Sequence, residues 1–197
     1  MIFDYPESRS DRIHGPAGYT SYEPFRAWLR DEFTFRCVYC MKRETWGQVT
    51  GDFELDHFQP QSLTPGLSLD YFNLVYACRR CNLVKLDQSM DDPLLNLTSD
   101  FLRVLPDGAV ASDRPQTRRL MMQLDLNSPK LKKWRVMWLR IVHLAKLRDR
   151  NLYRQLAGFP EDLPNLGRLR PRSNSRPEGI EMSWYAKRQR GQLPETY

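Results

Sequence analysis

No run of apolar residues in this 197-residue chain approaches the roughly 20 that a helix needs to cross a bilayer. The opening stretch, MIFDYPESRSDRIHGPAGYTSYEP, lacks the apolar centre of a secretory signal, so the expectation is a cytoplasmic protein with no membrane contact. Disulfides are rare in a reducing cytosol, which moves the four cysteines away from a disulfide frame and toward metal binding. Low-complexity tracts are missing as well, and nothing repeats except a Cys-x-x-Cys pair that occurs twice. What remains is 41% hydrophobic, with 5 Trp, 9 Tyr and 9 Phe, enough to fill one core in a chain too short to promise two.

Acidic residues thin out toward the C-terminus. Residues 128–197 carry 16 Lys and Arg against 6 Asp and Glu, a net of +10, whereas residues 1–127 carry a net of −4. A basic third of this kind suggests a polyanionic partner, nucleic acid first; the plainer alternative is a solvated basic surface.

Residues 1–20, rich in Pro, Gly, Ser and Tyr, read as an extended arm. A short helix over 21–33 comes next, with Ser21 as its cap, Pro24 in its first turn, and Phe25, Trp28, Leu29 and Phe33 at helical spacing. FRCVYC (35–40) reads as a metal knuckle. GDFELDHFQP (51–60) alternates Phe53, Leu55 and His57 on one side, a strand stopped by Pro60. FNLVYA leads as a second short strand into CRRCNLVK, which opens a helix. DDPLLNLTSD reads as a break, and FLRVLPDGAVAS as a hairpin turning at Pro106-Asp107-Gly108. From Ser128, with Pro129 at the first helical position, the chain reads as helix. Trp134, Met137, Trp138, Ile141, Ala145 and Leu152 form its packing face, and Lys132, Arg140, His143 and Arg150 its polar one.

All four cysteines fall into two knuckles, Cys37/Cys40 and Cys78/Cys81, and no thiol is left over. Zn²⁺ takes four thiolates tetrahedrally, and two knuckles supply that set. Between them lie Asp56 and His57, then Asn73, and directly after Cys81 come Asn82 and Lys85. Neighbours on a strand point to opposite sides, although a twist at the strand end lets both address one site. Imidazole is a competent general base near neutral pH, and a carboxylate with an amide oxygen suits a hard cation.

In this order, CVYC…LDHFQPQS…FNLVYACRRCNLVK resembles the HNH endonuclease family, in the subgroup whose ββα-metal motif is braced by a four-cysteine zinc; the likeness covers residues 35–86. It implies an α+β fold: a zinc-braced ββα-metal core over 35–90, preceded by an arm and short helix (1–34) and succeeded by a mainly helical, basic extension (91–197) packed with the core. It further implies catalytic roles for His57 as general base, Asp56 and Asn82 as ligands of a catalytic Mg²⁺ or Mn²⁺, and Asn73 as the residue that ties down the loop. Asn82 stands where many relatives have His, which favours a hard cation. Lys85 is a candidate phosphate contact, with a solvated helix lysine as its plainer reading. Arg168, Arg170, Arg172 and Arg176 are candidate contacts to the nucleic-acid backbone.

The function so implied is metal-dependent hydrolysis of DNA to 5′-phosphate ends, in restriction or anti-phage defence. Two alternatives stay open: a zinc-braced nucleic-acid-binding module without turnover, and a nuclease subunit gated by a partner ATPase or sensor. The segment from DPLLNL to KKWRV bears on the second. It is similar to the region C-terminal to the motif in defence-associated HNH proteins such as the Septu-type nuclease subunit.

Overall fold

The chain is described by a computed structural model over residues 2–7, 11–46, 52–169 and 179–197. Pro24 opens a 3₁₀ turn, Glu23–Phe25, that runs into α1, Arg26–Glu32. Tyr22, and not Ser21, precedes the turn, and it donates no side-chain cap. Phe25, Trp28 and Leu29 are buried as their spacing requires. After α1 the chain reverses through Thr34 and Phe35, both at positive φ (52° and 54°). That conformation costs a residue with a Cβ about 1 kcal/mol or more, and full burial of the Phe35 ring offsets it.

Two antiparallel strands come next, β1 Phe53–His57 and β2 Leu74–Cys78, in a register that sets Phe53 opposite Cys78 and His57 opposite Leu74. Helix α2, Arg79–Lys85, starts directly after β2 with Cys78 as its extended N-cap. Period-2 alternation puts Phe53, Leu55 and His57 on one face of β1 and Glu54 and Asp56 on the other. Asn82 and Lys85, one turn apart, meet that second face through Glu54 and Asp56. This ββα unit positions the candidate site.

The remaining elements wrap it. The stretch expected to be a break holds a one-turn helix α3, Pro93–Asn96, because the Asp92 carboxylate accepts from Leu94 N at 2.8 Å. The expected hairpin is present as β3, Arg103–Val104, and β4, Val110–Ala111. Helices α4 (Pro115–Gln123), α5 (Pro129–Arg148), α6 (Arg150–Ala157), α7 (Leu166–Leu169) and α8 (Trp184–Gln189) complete the described chain.

The long basic helix differs from its sequence reading in two ways. It ends at Asp149, whose carboxylate caps α6 by accepting from Asn151 N and Leu152 N, so Leu152 belongs to another helix. The buried positions of α5 are Arg135, Val142 and Ala145, with Trp134 and Trp138 packed against the core and Met137 47% exposed. The packing face is thus turned by about one residue toward Arg135. That guanidinium is fully buried and donates from one nitrogen to the carbonyls of Gly108 and Leu126, each at 2.8 Å.

Close approach at Gly108 depends on a backbone freedom that no other residue has: its φ is +78°, and a Cβ there would stand 2.4 Å from the Lys132 carbonyl oxygen. Gly108→Ala is therefore expected to lower unfolding stability by about 2–3 kcal/mol in urea melts. A loss below about 0.5 kcal/mol would mean that the turn yields freely.

Residues 2–7 and 11–20 are irregular, yet they are no free arm. Phe3 is fully buried, edge-on to Trp46 (5.1 Å) and Trp134 (5.4 Å), and Trp46 in turn stacks on Trp138 at 4.5 Å. Farther on, the buried Glu32 accepts from Ile13 N and His14 N. Asp31 accepts from Trp184 N at 2.9 Å and lies 2.8 Å from His14 Nε2, binding the N-terminal segment and α8 to the end of α1.

Candidate active site and metal centre

The first knuckle is a tight reversal. Cys37 N donates to Lys42 O and Met41 N to Cys37 O, with Met41 at φ 61° in the left-handed region. Val38 N donates to Tyr76 O and docks the knuckle on β2. Cys78 ends β2 and Cys81 lies in the first turn of α2, so the second knuckle is the strand–helix junction itself. The four Sγ atoms are buried and lie within 4.8 Å of one another; Cys40 Sγ and Cys78 Sγ are 3.7 Å apart. Tetrahedral thiolates about 2.3 Å from a zinc ion require sulfur–sulfur edges of about 3.8 Å, so this donor set fits Zn²⁺. No disulfide joins any of the four. Hydrogen bonds from Cys37, Cys40 and Cys81 hold the Cys78 thiol well below its usual range, while burial pushes the Cys37 thiol up. One thiolate is thus favoured and further ionisation opposed, the state that a bound dication reverses. Arg80 completes the surroundings, donating to Leu124 O and reaching Cys81 Sγ at 4.0 Å.

His57 ends β1, 9% exposed, with its ring edge-on to Tyr22 at 5.2 Å. Its Nε2 lies 3.0 Å from the carbonyl oxygen of Ser68. A carbonyl only accepts, so Nε2 carries the ring proton and Nδ1 keeps a lone pair, the tautomer that a base needs. The Gln61 amide nitrogen lies 3.2 Å from the same Nε2, and because both atoms donate in this tautomer it is a neighbour and not a second partner. Asn73 fixes the loop that supplies Ser68 and Gln61. Its Oδ1 accepts from Gln59 N at 3.0 Å, and its Nδ2 donates to Gln59 O at 3.0 Å and Leu67 O at 3.4 Å.

Asp56 faces the other way and is 6% exposed. Its Oδ1 accepts from Lys85 Nζ at 3.0 Å and its Oδ2 from the Tyr39 hydroxyl at 2.6 Å. Burial and then the Asp56 charge push the Tyr39 phenol well above its usual range, so it stays a donor. Lys85 is 1% exposed and donates also to His57 O (2.7 Å) and Leu86 O (3.3 Å). The expected phosphate contact is thus turned inward, because Asp56 and two backbone carbonyls satisfy the ammonium there. Removing either member of such a buried pair typically costs about 3–5 kcal/mol.

Asn82 directs its Nδ2 to Glu54 Oε2 at 2.6 Å. Asp56 and Asn82, expected to share a divalent cation, therefore have separate partners. Among the described residues, the cysteine quartet is the one group of three or more His, Cys, Asp or Glu near enough to hold a metal. Glu54 was legible in sequence, since it shares the period-2 face of Asp56; Tyr39, hidden inside a knuckle, carried no such signal. Arg168 is exposed on α7, and Arg170, Arg172 and Arg176 lie outside the described residues.

Residues 37–88 thus hold a two-strand sheet whose second strand runs into a helix through a cysteine knuckle, with a histidine at the end of the first strand. The HNH endonuclease family model matches residues 37–88, which contain both knuckles, His57, Asn73 and Asn82. The chain is also similar to a Septu protein, PtuB of Bacillus thuringiensis: 35% identity over 66 residues, 33% of this chain and 25% of that protein. The match thus spans a quarter of the relative's length. No helix among the described residues is long and apolar enough to cross a membrane.

Proposed function

We propose that the protein is an endonuclease that hydrolyses phosphodiester bonds of DNA, with His57 as its general base and residues 35–90 as its nuclease core. The observation that carries this reading is the His57 Nε2–Ser68 O hydrogen bond, which leaves Nδ1 to accept a proton. Nδ1 takes a proton from a water molecule, the hydroxide oxygen bonds to phosphorus, and the P–O3′ bond breaks. The 3′-oxygen leaves and gains a proton, and a 5′-phosphate remains. Asn73 is a positioning residue in this scheme. The resemblance also implies Mg²⁺ or Mn²⁺, which would neutralise charge on the phosphoryl oxygens. Incubating the pure protein with plasmid, with and without Mg²⁺ or Mn²⁺, tests the reading; an intact plasmid under every condition would leave a binding module in its place.

The basic C-terminal part is assigned to holding the DNA backbone. Neutralising Arg168, Arg170, Arg172 and Arg176 together is expected to weaken binding to unrelated DNA sequences alike. It should also flatten the salt dependence, since fewer counterions are released, and leave the cut-site pattern unchanged. Titrations at two salt concentrations check this; equal affinity and slope would assign these arginines to a protein partner instead. Likeness to a Septu protein supports a role in defence; a cytoplasmic location and a partner ATPase or sensor protein that gates cutting are proposed with it.

A further inference from the structure

The buried ammonium of Lys85 stands where a hard cation would be expected. It is 3.0 Å from Asp56 Oδ1 and 2.7 Å from His57 O, both on the catalytic strand, with Leu86 O at 3.3 Å as a third oxygen. Three oxygens around a cationic centre, one of them a carboxylate, are a donor set that a hard divalent ion also takes. The second carboxylate oxygen is held by Tyr39 at 2.6 Å, so Asp56 has no oxygen without a hydrogen-bond donor. Lys85 is 1% exposed and belongs to α2, the helix that also carries Cys81 and Asn82. Its position is therefore set by the zinc-braced strand–helix junction.

From this we infer that Lys85 is a resident cation at Asp56, and that a divalent cation reaches Asp56 only by displacing it. The inference rests on the nuclease reading, whose cation it concerns. Two positive charges cannot share one buried carboxylate without strong repulsion, so cation binding and the Asp56–Lys85 pair exclude each other. Cation affinity is then lowered by whatever holds the lysine in, and the nuclease rests with its acidic ligand neutralised. Exposing Lys85 on cation entry would also free an ammonium one helical turn from Asn82, where DNA phosphate could meet it.

Two measurements on the full-length, zinc-loaded protein decide the matter. Calorimetric titration with Mn²⁺ should show Lys85→Met binding at least about 10-fold more tightly than wild type, because the competing charge is gone while the side-chain length is kept. Asp56→Asn in the same background should abolish the gain, and zinc analysis should show the cysteine site unchanged. In the wild type, reductive methylation read by mass spectrometry should find the Lys85 amine protected without divalent cation and several-fold more reactive with saturating Mg²⁺. That arm stands even if Lys85→Met fails to fold. Equal Mn²⁺ affinity in wild type and Lys85→Met, or a Lys85 amine still protected at saturating Mg²⁺, would overturn the inference. Failure to cut plasmid would remove the nuclease reading but leave both binding results interpretable.

Discussion

Stripped of metal by a strong chelator, the protein is expected to lose its cooperative fold, and Zn²⁺ alone is expected to restore it. Structural zinc bound by four thiolates contributes about 10–16 kcal/mol near neutral pH, as much as or more than the roughly 5–15 kcal/mol of net stability of a typical domain. The quartet also sits at the junction on which the ββα unit depends, since Cys78 ends β2 and Cys81 lies in the first turn of α2. Without the ion, four buried sulfurs retain only weak mutual hydrogen bonds, and burial disfavours ionisation of Cys37. A Cys→Ser change at Cys37, Cys40, Cys78 or Cys81 should therefore give insoluble or unfolded protein. Elemental analysis should find one zinc per chain, and thermal melts should collapse on chelation. A zinc-free protein with an unchanged melt, or a disulfide within the quartet, would refute the assignment.

His57→Ala should behave in the opposite way, losing catalysis and keeping the fold. Loss of a general base lowers turnover by about 10²–10⁴-fold. The His57 ring makes one hydrogen bond, to the Ser68 backbone carbonyl. The melting profile and zinc content should therefore change little. Asp56→Ala provides the contrast. It would leave the Lys85 ammonium buried beside two carbonyls without its carboxylate, so its activity loss should come with a clearly lower melting temperature. Plasmid cleavage and calorimetry on both variants separate the two residues. Full turnover by His57→Ala at saturating cation would show that another group takes the proton.

The contrast between these residues marks where sequence alone suffices. The quartet was legible because every cysteine falls into a knuckle, and β1 because Phe53, Leu55 and His57 alternate. The hairpin at Pro106–Gly108 was legible from its turn residues. Burial of Phe3 and Tyr5 was not, since irregular chain has no period from which a packed face can be read. Arg135 was hidden for another reason. A cation is expected to face solvent, and only the three-dimensional meeting of the Gly108 and Leu126 carbonyls makes an interior place for it. For Lys85 and Asn82, residue type and spacing marked them as functional, but their direction depends on what Asp56 and Glu54 offer across the α2–β1 contact. The sequence therefore singles out Lys85 and Asn82 without giving their pairings.

Cys40 and Cys78 stand 38 positions apart and both strands of the hairpin lie between them, which bears on the order of folding. Closing a loop of that length costs about 3 kcal/mol of chain entropy before any contact offsets it. A zinc ion in the quartet would offset that cost, by bonds to groups already paired locally in each knuckle. A chain that captures zinc early then pairs β1 with β2 inside a ring whose ends are already joined. A chain that meets zinc late must find the same pairing as an open coil. With zinc in the quartet, metal supply during synthesis would set how quickly Asn73, Ser68 and His57 find one another.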